Sequence, residues 1–343
     1  AEHLGVAHAI AVSSGTAALH LAFLGAGIGP GDEVIVPAMT FVATANAVRY
    51  CGGPPVFADI CGEKDFGIDP ESVARSITPR TKAVCAVHYA GYAASVEALA
   101  ALCAEHGLAL IEDAAHSPDA TPVGSARKLG AWGQSGAFSF FSNKVLSCGE
   151  GGLLATDDEV IAEAARRRRS HALTTGTWDR HRGHALGYDV VDLGFNYRID
   201  EMRAALLQAR LGGLEEDIAS RRRLVRRYRE RLATVAGIDT PYSDAQVEFS
   251  AGYIMPTTIA DAGTRDTLRR ILIEDYEVQT SLLYPSIADF TEYRRFDIPE
   301  LPRTDHVART QMTLPLFPHM TDEEQDWVLE SLEKGVSAAV AAG

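Results

Sequence analysis

The sequence lacks any apolar run long enough to cross a lipid bilayer. The Ala- and Leu-rich stretch 93–112 is interrupted by Glu97 and Glu105, whereas a membrane-spanning helix needs about 20 mostly apolar residues. A recognisable signal peptide is also lacking. We therefore expect no membrane partner and a cytoplasmic location. The chain runs from Ala1 almost directly into a strand-like stretch, so we expect that its natural N-terminus is missing.

Cysteine is scarce, and positive charge is in the minority. The five cysteines are odd in number and form no Cys-x-x-Cys pair, which is typical of a reducing compartment and argues against a structural zinc site. We expect no bound metal. The formal net charge of −14 excludes a general attraction to phosphate backbones, so we expect no nucleic-acid partner.

The chain does contain a regular alternation of short apolar runs and helical patterns in its first half. This alternation predicts an α/β fold with a large, mostly parallel sheet covered by helices. The predicted strands are 8–12, 33–36, 56–58, 83–87, 108–111, 137–140 and 152–156, and the predicted helices are 16–25, 41–50, 70–77 and 94–106.

The second part of the chain has a different character. Residues 200–235 are rich in Leu, Ala, Arg and Glu and predict one or two long helices, and the remainder mixes short strands with helices. A length of 343 residues favours two domains. We predict a large domain at 1–220 and a small C-terminal α/β domain at 221–343.

A lysine lies between a buried strand and a glycine-rich turn, in Ser139-Phe-Phe-Ser-Asn-Lys144 followed by Gly149-Glu-Gly-Gly152. This position is poorly suited to a solvated surface charge. A lysine held in a pocket can lose its proton and form an imine with an aldehyde, and glycines let the backbone approach a bulky ligand. The alternative is a surface lysine in a tight turn.

An aspartate follows another apolar run, in Ile111-Glu-Asp113-Ala-Ala-His116. Ligands bind at the carboxyl ends of strands in open α/β sheets, and Asp113 would supply a fixed negative charge there. The alternative is that Asp113 caps a following helix, as aspartate often does.

Two further stretches indicate a phosphate and a flat ring. Ser13-Ser-Gly15-Thr16 lies between the first strand and the first helix, where free backbone N–H groups and the helix dipole favour an anion. Phe41 follows a strand end, where an aromatic side chain can stack on a ring. The alternatives are an ordinary helix N-cap and a core phenylalanine.

Together, a phosphate turn, a stacking aromatic, a strand-end aspartate and a strand-end lysine form a complete site for pyridoxal 5'-phosphate. This cofactor works as an electron sink when a carboxylate keeps its pyridine nitrogen protonated. The sequence therefore predicts an enzyme with this cofactor.

The same stretches resemble the DegT/DnrJ/StrS family of sugar aminotransferases over nearly the whole chain. The matching stretches are S-S-G-T-A-A-L-H-L-A at 13–22, V-P-A-M-T-F-V-A-T-A-N-A-V at 36–48, V-H-Y-A-G-Y at 87–92, I-E-D-A-A-H at 111–116, F-S-F-F-S-N-K at 138–144, G-E-G-G at 149–152, L-G-F-N-Y-R-I-D-E at 193–201 and L-P-L-F-P at 314–318. Members usually carry a few dozen more residues before the first strand.

The resemblance implies a fold type I aminotransferase that works as a homodimer with shared active sites. Lys144 would carry the cofactor as an imine and then move the proton as general acid and base, and Asp113 would face the pyridine nitrogen. Some relatives have histidine at the lysine position and are sugar dehydratases, so Lys144 favours transamination. The expected amino donor is glutamate and the expected acceptor is a keto-sugar, most often nucleotide-linked.

The resemblance also assigns cofactor contacts. His116 would bond the ring hydroxyl, where relatives often have glutamine, and Phe41 would stack on the ring. The phosphate contacts would come from Gly15, Thr16 and Ser139 of one subunit and from Asn196 of the other.

The sequence departs from the family pattern in the region that shapes the acceptor pocket. Sugar-nucleotide members commonly read T-S-x-H-Y-P-P followed by another histidine, and Leu283 and Ala288 stand at those histidine positions here. Ser250-Ala-Gly-Tyr253 also lacks a familiar histidine. The lost histidines somewhat favour an alternative, an aminotransferase for a free cyclitol or another small ketone. A non-catalytic regulatory or structural homologue is a further alternative, but the intact Lys144, Asp113 and phosphate motifs count against it.

Two other features have open interpretations. The stretch Trp178-Asp-Arg-His-Arg-Gly-His184 carries cationic and aromatic groups and would contact either a sugar diphosphate or the partner subunit. His88 ends a predicted strand, where it would either line the pocket or be a structural histidine with satisfied hydrogen bonds.

Overall fold

A seven-stranded sheet organises the molecule. This computed structural model describes residues 1–175 and 187–342. The strands are β1 (His8–Val12), β2 (Glu33–Pro37), β3 (Pro55–Ala58), β4 (Ile60–Gly62), β5 (Asp65–Ile68), β6 (Thr81–Val87), β7 (Ala109–Asp113), β8 (Ser135–Ser139), β9 (Gly152–Thr156), β10 (Ile238–Asp239), β11 (Met255–Ile259) and β12 (Gln311–Leu314). The strand order in the large sheet is β1-β9-β8-β7-β6-β2-β3.

The helices alternate with the strands in the first half of the chain and dominate the second half. The α-helices are α1 (Gly15–Gly25), α2 (Ala43–Tyr50), α3 (Pro70–Ser76), α4 (Val96–His106), α5 (Glu159–Arg168), α6 (Glu201–Leu211), α7 (Leu214–Leu232), α8 (Asp244–Phe249), α9 (Ala262–Tyr276), α10 (Pro302–Thr310) and α11 (Asp322–Ala342), with 3₁₀ turns at Glu2–Leu4, Tyr89–Gly91 and Ile287–Asp289.

Most strand pairs of the large sheet are parallel. Strands β3, β2, β6, β7 and β8 pair in parallel, and β9 runs antiparallel between β8 and β1. The predicted mostly parallel α/β sheet is therefore confirmed. Because β9 is antiparallel to both of its neighbours, β1 points the same way as β8. The carboxyl ends of β1, β2, β6, β7 and β8 thus meet at one edge of the sheet.

The local sequence explains where the elements lie. All five residues of β2 are buried, as expected for a strand covered on both faces. Helix α1 buries every residue from Ala17 to Phe23 against the sheet. Side-chain oxygens cap the first turns of several helices, as these residue types prefer; the capping residues include Ser14, Asp69, Asp158, Asp200 and Asp261.

Two local predictions differ from the structure. The second helix was expected from Phe41 but begins at Ala43, a shift of the size that helix ends commonly show. The β4–β5 hairpin was not expected, because strands of three and four residues are too short to show an alternating pattern.

The C-terminal part adds a small antiparallel sheet, β10-β11-β12. Residue 220, the predicted domain boundary, falls inside α7. Buried side chains of α7 such as Ile218 and Val225 belong to a core cluster that also contains Phe138 and Met312. The division at residue 220 stays a prediction. Across the described ranges, no helix is both long and apolar enough to span a membrane.

Candidate active site

A cavity of about 440 Å³ lies at the carboxyl edge of the large sheet. Seven of the eight residues assigned to the cofactor by sequence line it: Gly15, Thr16, Phe41, Asp113, His116, Ser139 and Lys144. They lie at or shortly after the carboxyl ends of β1, β2, β7 and β8. The strand-end positions therefore bring together side chains that lie far apart in the sequence.

The turn after β1 forms one wall of the cavity. Ser14 is an ordinary N-cap, since its hydroxyl accepts a hydrogen bond of 3.1 Å from the backbone N–H of Ala17. Gly15 packs so tightly that a Cβ atom there would lie 2.8 Å from the Cβ of Ser139. Gly15, Thr16 and Ser139 therefore line one wall beside the positive end of α1, a favourable place for a phosphate.

Lys144 follows β8 and lines the same cavity. Its Nζ lies 3.4 Å from the hydroxyl of Tyr253 and 4.6 Å from the centre of the Tyr253 ring. Burial lowers the pKa of Lys144 to about 8, although the charge of Asp113 opposes this effect. The surface-lysine alternative is therefore wrong, and about a tenth of the amine is neutral at pH 7, far more than for an ordinary lysine.

Asp113 is the last residue of β7 and is nearly fully buried. Its Oδ2 accepts a 2.8 Å hydrogen bond from the Thr44 hydroxyl, and its Oδ1 accepts a 3.2 Å bond from the backbone N–H of Ala115. Burial raises the pKa of Asp113, and these hydrogen bonds oppose the rise. The helix-cap alternative is wrong, because the next regular element after β7 is strand β8.

Phe41 and His116 lie on the cavity wall beside Tyr284. Phe41 is 55% exposed and its ring centre lies 5.8 Å from that of Tyr284, so it is not a core phenylalanine. His116 is buried, and its Nε2 lies 3.0 Å from the Tyr284 hydroxyl. Burial holds the pKa of His116 well below its usual range. The imidazole is therefore neutral and can take part in hydrogen bonds as donor and acceptor.

The sequence did not assign Tyr253 or Tyr284 to the site, although it placed both stretches in the acceptor pocket. Leu283, at a position where relatives have histidine, lines the cavity beside Tyr284. Ala288 does not: it is buried in a core cluster with Ile287 and Tyr293. Of the two substituted histidine positions, only the first faces the ligand space.

His88 is a structural histidine. It is completely buried, its Nδ1 accepts a hydrogen bond from the backbone N–H of Ala94 at 3.2 Å, and its Nε2 lies 2.9 Å from the Glu112 carboxylate. Because Nδ1 accepts, the proton is on Nε2 and is donated to Glu112. Both ring nitrogens are thus satisfied by protein groups.

Asn196 is the one assigned residue that does not line the cavity. It is exposed and forms an isolated antiparallel bridge with Ser170. The stretch 178–184 lies outside the described residues. Within residues 1–175 and 187–342, no group of three or more His, Cys, Asp or Glu side chains is placed to hold a metal ion.

The amino-acid sequence matches those of known proteins. The DegT/DnrJ/EryC1/StrS aminotransferase family matches residues 1–333. The spore coat polysaccharide biosynthesis protein SpsC of Bacillus subtilis (strain 168) is 34% identical over 346 residues, with 99% of this chain and 88% of SpsC covered.

Solved structures agree with this assignment. DesV of S. venezuelae is 34% identical, with a TM-score of 0.87 and coverage of 98% of this chain and 86% of DesV. DesI, solved in the presence of its TDP-sugar product, is 30% identical, with a TM-score of 0.87 and coverage of 99% and 84%.

The match over almost the whole chain decides the family, and the family decides the cofactor and the type of reaction. The cavity fits that cofactor, because it combines a tight turn at a helix N-terminus, a buried carboxylate and a buried lysine. The chain therefore belongs to the DegT/DnrJ/EryC1/StrS aminotransferase family and is a sugar aminotransferase that depends on pyridoxal 5'-phosphate.

Proposed function

We propose that this chain transfers an amino group from glutamate to a nucleotide-linked keto-sugar, with Lys144 and Asp113 as its catalytic residues. The observation that carries the proposal is that a lysine with a lowered pKa, a buried carboxylate and the N-terminus of α1 all line one cavity. When bound, pyridoxal 5'-phosphate supplies an aldehyde that bonds to amines and a ring that accepts electrons.

Lys144 is the proposed attachment point and proton carrier. A pKa of about 8 means that the Nζ atom can take up and release a proton near neutral pH, as a general acid and base must. The Tyr253 hydroxyl, 3.4 Å away, gives the freed amine a partner on the cavity wall. Burial raises the pKa of Tyr253 to about 12, so this hydroxyl keeps its proton.

Asp113 and five other residues that line the cavity are the proposed cofactor contacts. The carboxylate of Asp113 would hold the ring nitrogen in its protonated form. Gly15, Thr16 and Ser139 would bind the phosphate at the N-terminus of α1, His116 would bond the ring hydroxyl, and Phe41 would lie against the ring.

The nucleotide-linked acceptor is supported by DesI, which was solved with its TDP-sugar product. Among the cavity-lining residues of the described chain, Lys144 is the only one with a cationic side chain. Cationic residues that would bind the diphosphate of such a substrate therefore have to come from outside this cavity lining.

A direct comparison of acceptors tests the substrate. Glutamate should convert the bound cofactor to its amine form, and the absorbance of that form should then be bleached by a TDP-linked keto-sugar. We expect a kcat/KM at least about tenfold higher than for a free cyclitol ketone, because contacts with remote parts of a substrate raise the rate at its reacting centre. Faster bleaching by the free ketone would support the cyclitol alternative instead.

A homodimer is supported by the surface around α6. Helix α6 buries none of its residues, and its neighbourhood exposes Leu193 (75%), Met202 (82%) and Leu206 (49%). Exposed apolar residues grouped in this way are typical of protein interfaces. We infer that a second copy covers this face. Asn196 is exposed and lies between Leu193 and Met202 in the sequence.

Mixed dimers test whether Asn196 serves the partner's cavity. Lys144→Ala and Asn196→Asp should each be inactive alone, the second because its added carboxylate repels phosphate. With shared sites, a mixed dimer has one site with both lesions and one with neither. After subunit exchange, activity should return to about a quarter of the wild-type value, since about half the dimers are mixed.

A mixture that stays inactive would contradict shared sites. If Asn196 serves its own subunit, every site in the mixture carries one lesion and no activity returns. Differently tagged chains, recovered together on one affinity column, verify that exchange has occurred.

A further inference from the structure

The carboxylate of Asp113 is held by neutral donors only. Thr44 donates to Oδ2 at 2.8 Å and the Ala115 N–H donates to Oδ1 at 3.2 Å, and among the described residues Asp113 forms no ion pair within 4 Å. Thr44 is fully buried and does not itself line the cavity. It therefore contacts Asp113 from behind, on the side away from the ligand space.

Thr44 is the second residue of α2. A threonine hydroxyl further along a helix can bond the carbonyl four residues earlier, but no residue of α2 lies four positions before Thr44. Its hydroxyl instead bonds a carboxylate 69 residues away. A second buried hydroxyl, that of Thr40, lies 3.0 Å from the Thr44 oxygen. An ionised carboxylate only accepts, so Thr44 donates to Asp113 and accepts from Thr40.

We propose that Thr44, supported by Thr40, is a positioning residue that fixes the charged carboxylate of Asp113 at the cavity for the ring nitrogen of the cofactor. This inference rests on the proposed role of Asp113. The physical reason is that a one-way chain of two hydroxyls orients Oδ2 and stabilises its negative charge where water is excluded. A carboxylate without that donor would take up a proton more readily and would rotate more freely.

The affinity for pyridoxal 5'-phosphate, measured by absorbance titration across pH, tests this role. Asp113 binds the protonated ring nitrogen only when ionised, so affinity falls as pH drops through its pKa. Thr44→Val removes the donor and keeps the volume. We expect the fall in affinity to begin about one to two pH units higher than in the wild type, and Thr44→Ser, which keeps the hydroxyl, to restore the wild-type profile.

Thr304→Val is a matched control. Thr304 is also fully buried and donates to a carboxylate, Asp59, at 2.7 Å, but neither residue lines the cavity. This variant should leave the pH profile of cofactor affinity unchanged. If Thr44→Val does not fold, Thr40→Val weakens the same pair of hydroxyls and should give a smaller shift in the same direction. Because Thr40 itself lines the cavity, only a shift of the pH profile counts, and not a uniform change of affinity at every pH.

The outcomes separate this inference from the proposed function. If Asp113→Asn binds cofactor and turns over like the wild type, the role of Asp113 itself is wrong. If Asp113→Asn is defective while Thr44→Val or Thr40→Val follows the wild-type profile at every pH, the role of Thr44 alone is overturned.

Discussion

Replacing Lys144 with alanine should abolish turnover and leave the fold intact. The side chain lines a cavity beside Tyr253, so its loss removes the attachment point and enlarges a cavity that is already present. Borohydride makes the link between a lysine and pyridoxal 5'-phosphate permanent. We expect covalent labelling of the wild type at Lys144 and none in Lys144→Ala, checked by mass spectrometry of peptides and by circular dichroism.

Lys64→Ala is the control for this experiment, because Lys64 is exposed and pairs with Asp239 at the surface. Its labelling and turnover should match those of the wild type, and labelling of any lysine other than 144 would refute the assignment. The pH dependence gives a second readout. Only the neutral amine attacks an aldehyde, so the rate of cofactor capture should rise about tenfold per pH unit below about 8 and level off above.

Removing the carboxylate of Glu112 should have the largest effect on stability. Glu112 is completely buried and accepts hydrogen bonds from the backbone N–H groups of Gly130 (2.8 Å), Trp132 (2.6 Å) and Gly133 (2.7 Å), as well as from His88. Glu112→Ala leaves four donors without their partner, of which those of His88 and Gly130 are fully buried and those of Trp132 and Gly133 partly buried. Breaking a buried charged network costs about 3–5 kcal/mol, a large part of the 5–15 kcal/mol of a typical domain.

Urea unfolding of the cofactor-free protein measures this loss. Glu112→Gln keeps the volume but points an amide N–H₂ group at donors. Its free energy of unfolding should therefore fall by less than that of Glu112→Ala, but by more than that of the surface control Glu105→Ala. Glu105→Ala, on the exposed side of α4, should change the free energy of unfolding by less than about 0.5 kcal/mol. If Glu112→Ala and Glu105→Ala unfold at the same urea concentration, Glu112 does not hold the 130–133 loop.

The large sheet and most of the residues that line the cavity beside Lys144 could be predicted because they follow a local rule. Each of Gly15, Phe41, Asp113 and Lys144 comes at or just after the carboxyl end of a strand, and that position is visible in a short stretch of sequence. Parallel pairing then brings the strand ends together. The strand boundaries were right to within a residue or two for the same reason.

The contacts behind these residues could not be predicted, because they join distant parts of the chain. Glu112 appears in the sequence only as the neighbour of Asp113, and its donors lie in an irregular loop 18 to 21 residues later. Alternation along β7 puts Glu112 and Asp113 on opposite faces, so one carboxylate anchors a loop while the next faces the ligand. Tyr284 meets His116 across 168 residues, with no local pattern to indicate it.

The late position of Tyr253 and Tyr284 has a consequence for how the enzyme is made. Lys144 precedes Tyr253 by 109 residues, so the ribosome completes the whole large sheet long before it adds this wall. Domains fold as they emerge, with N-terminal segments first. Until residues 253 and 284 are added, Lys144 lacks two of the aromatic side chains that line its cavity. Productive cofactor loading becomes a property of the finished chain, and released fragments would hold the cofactor weakly.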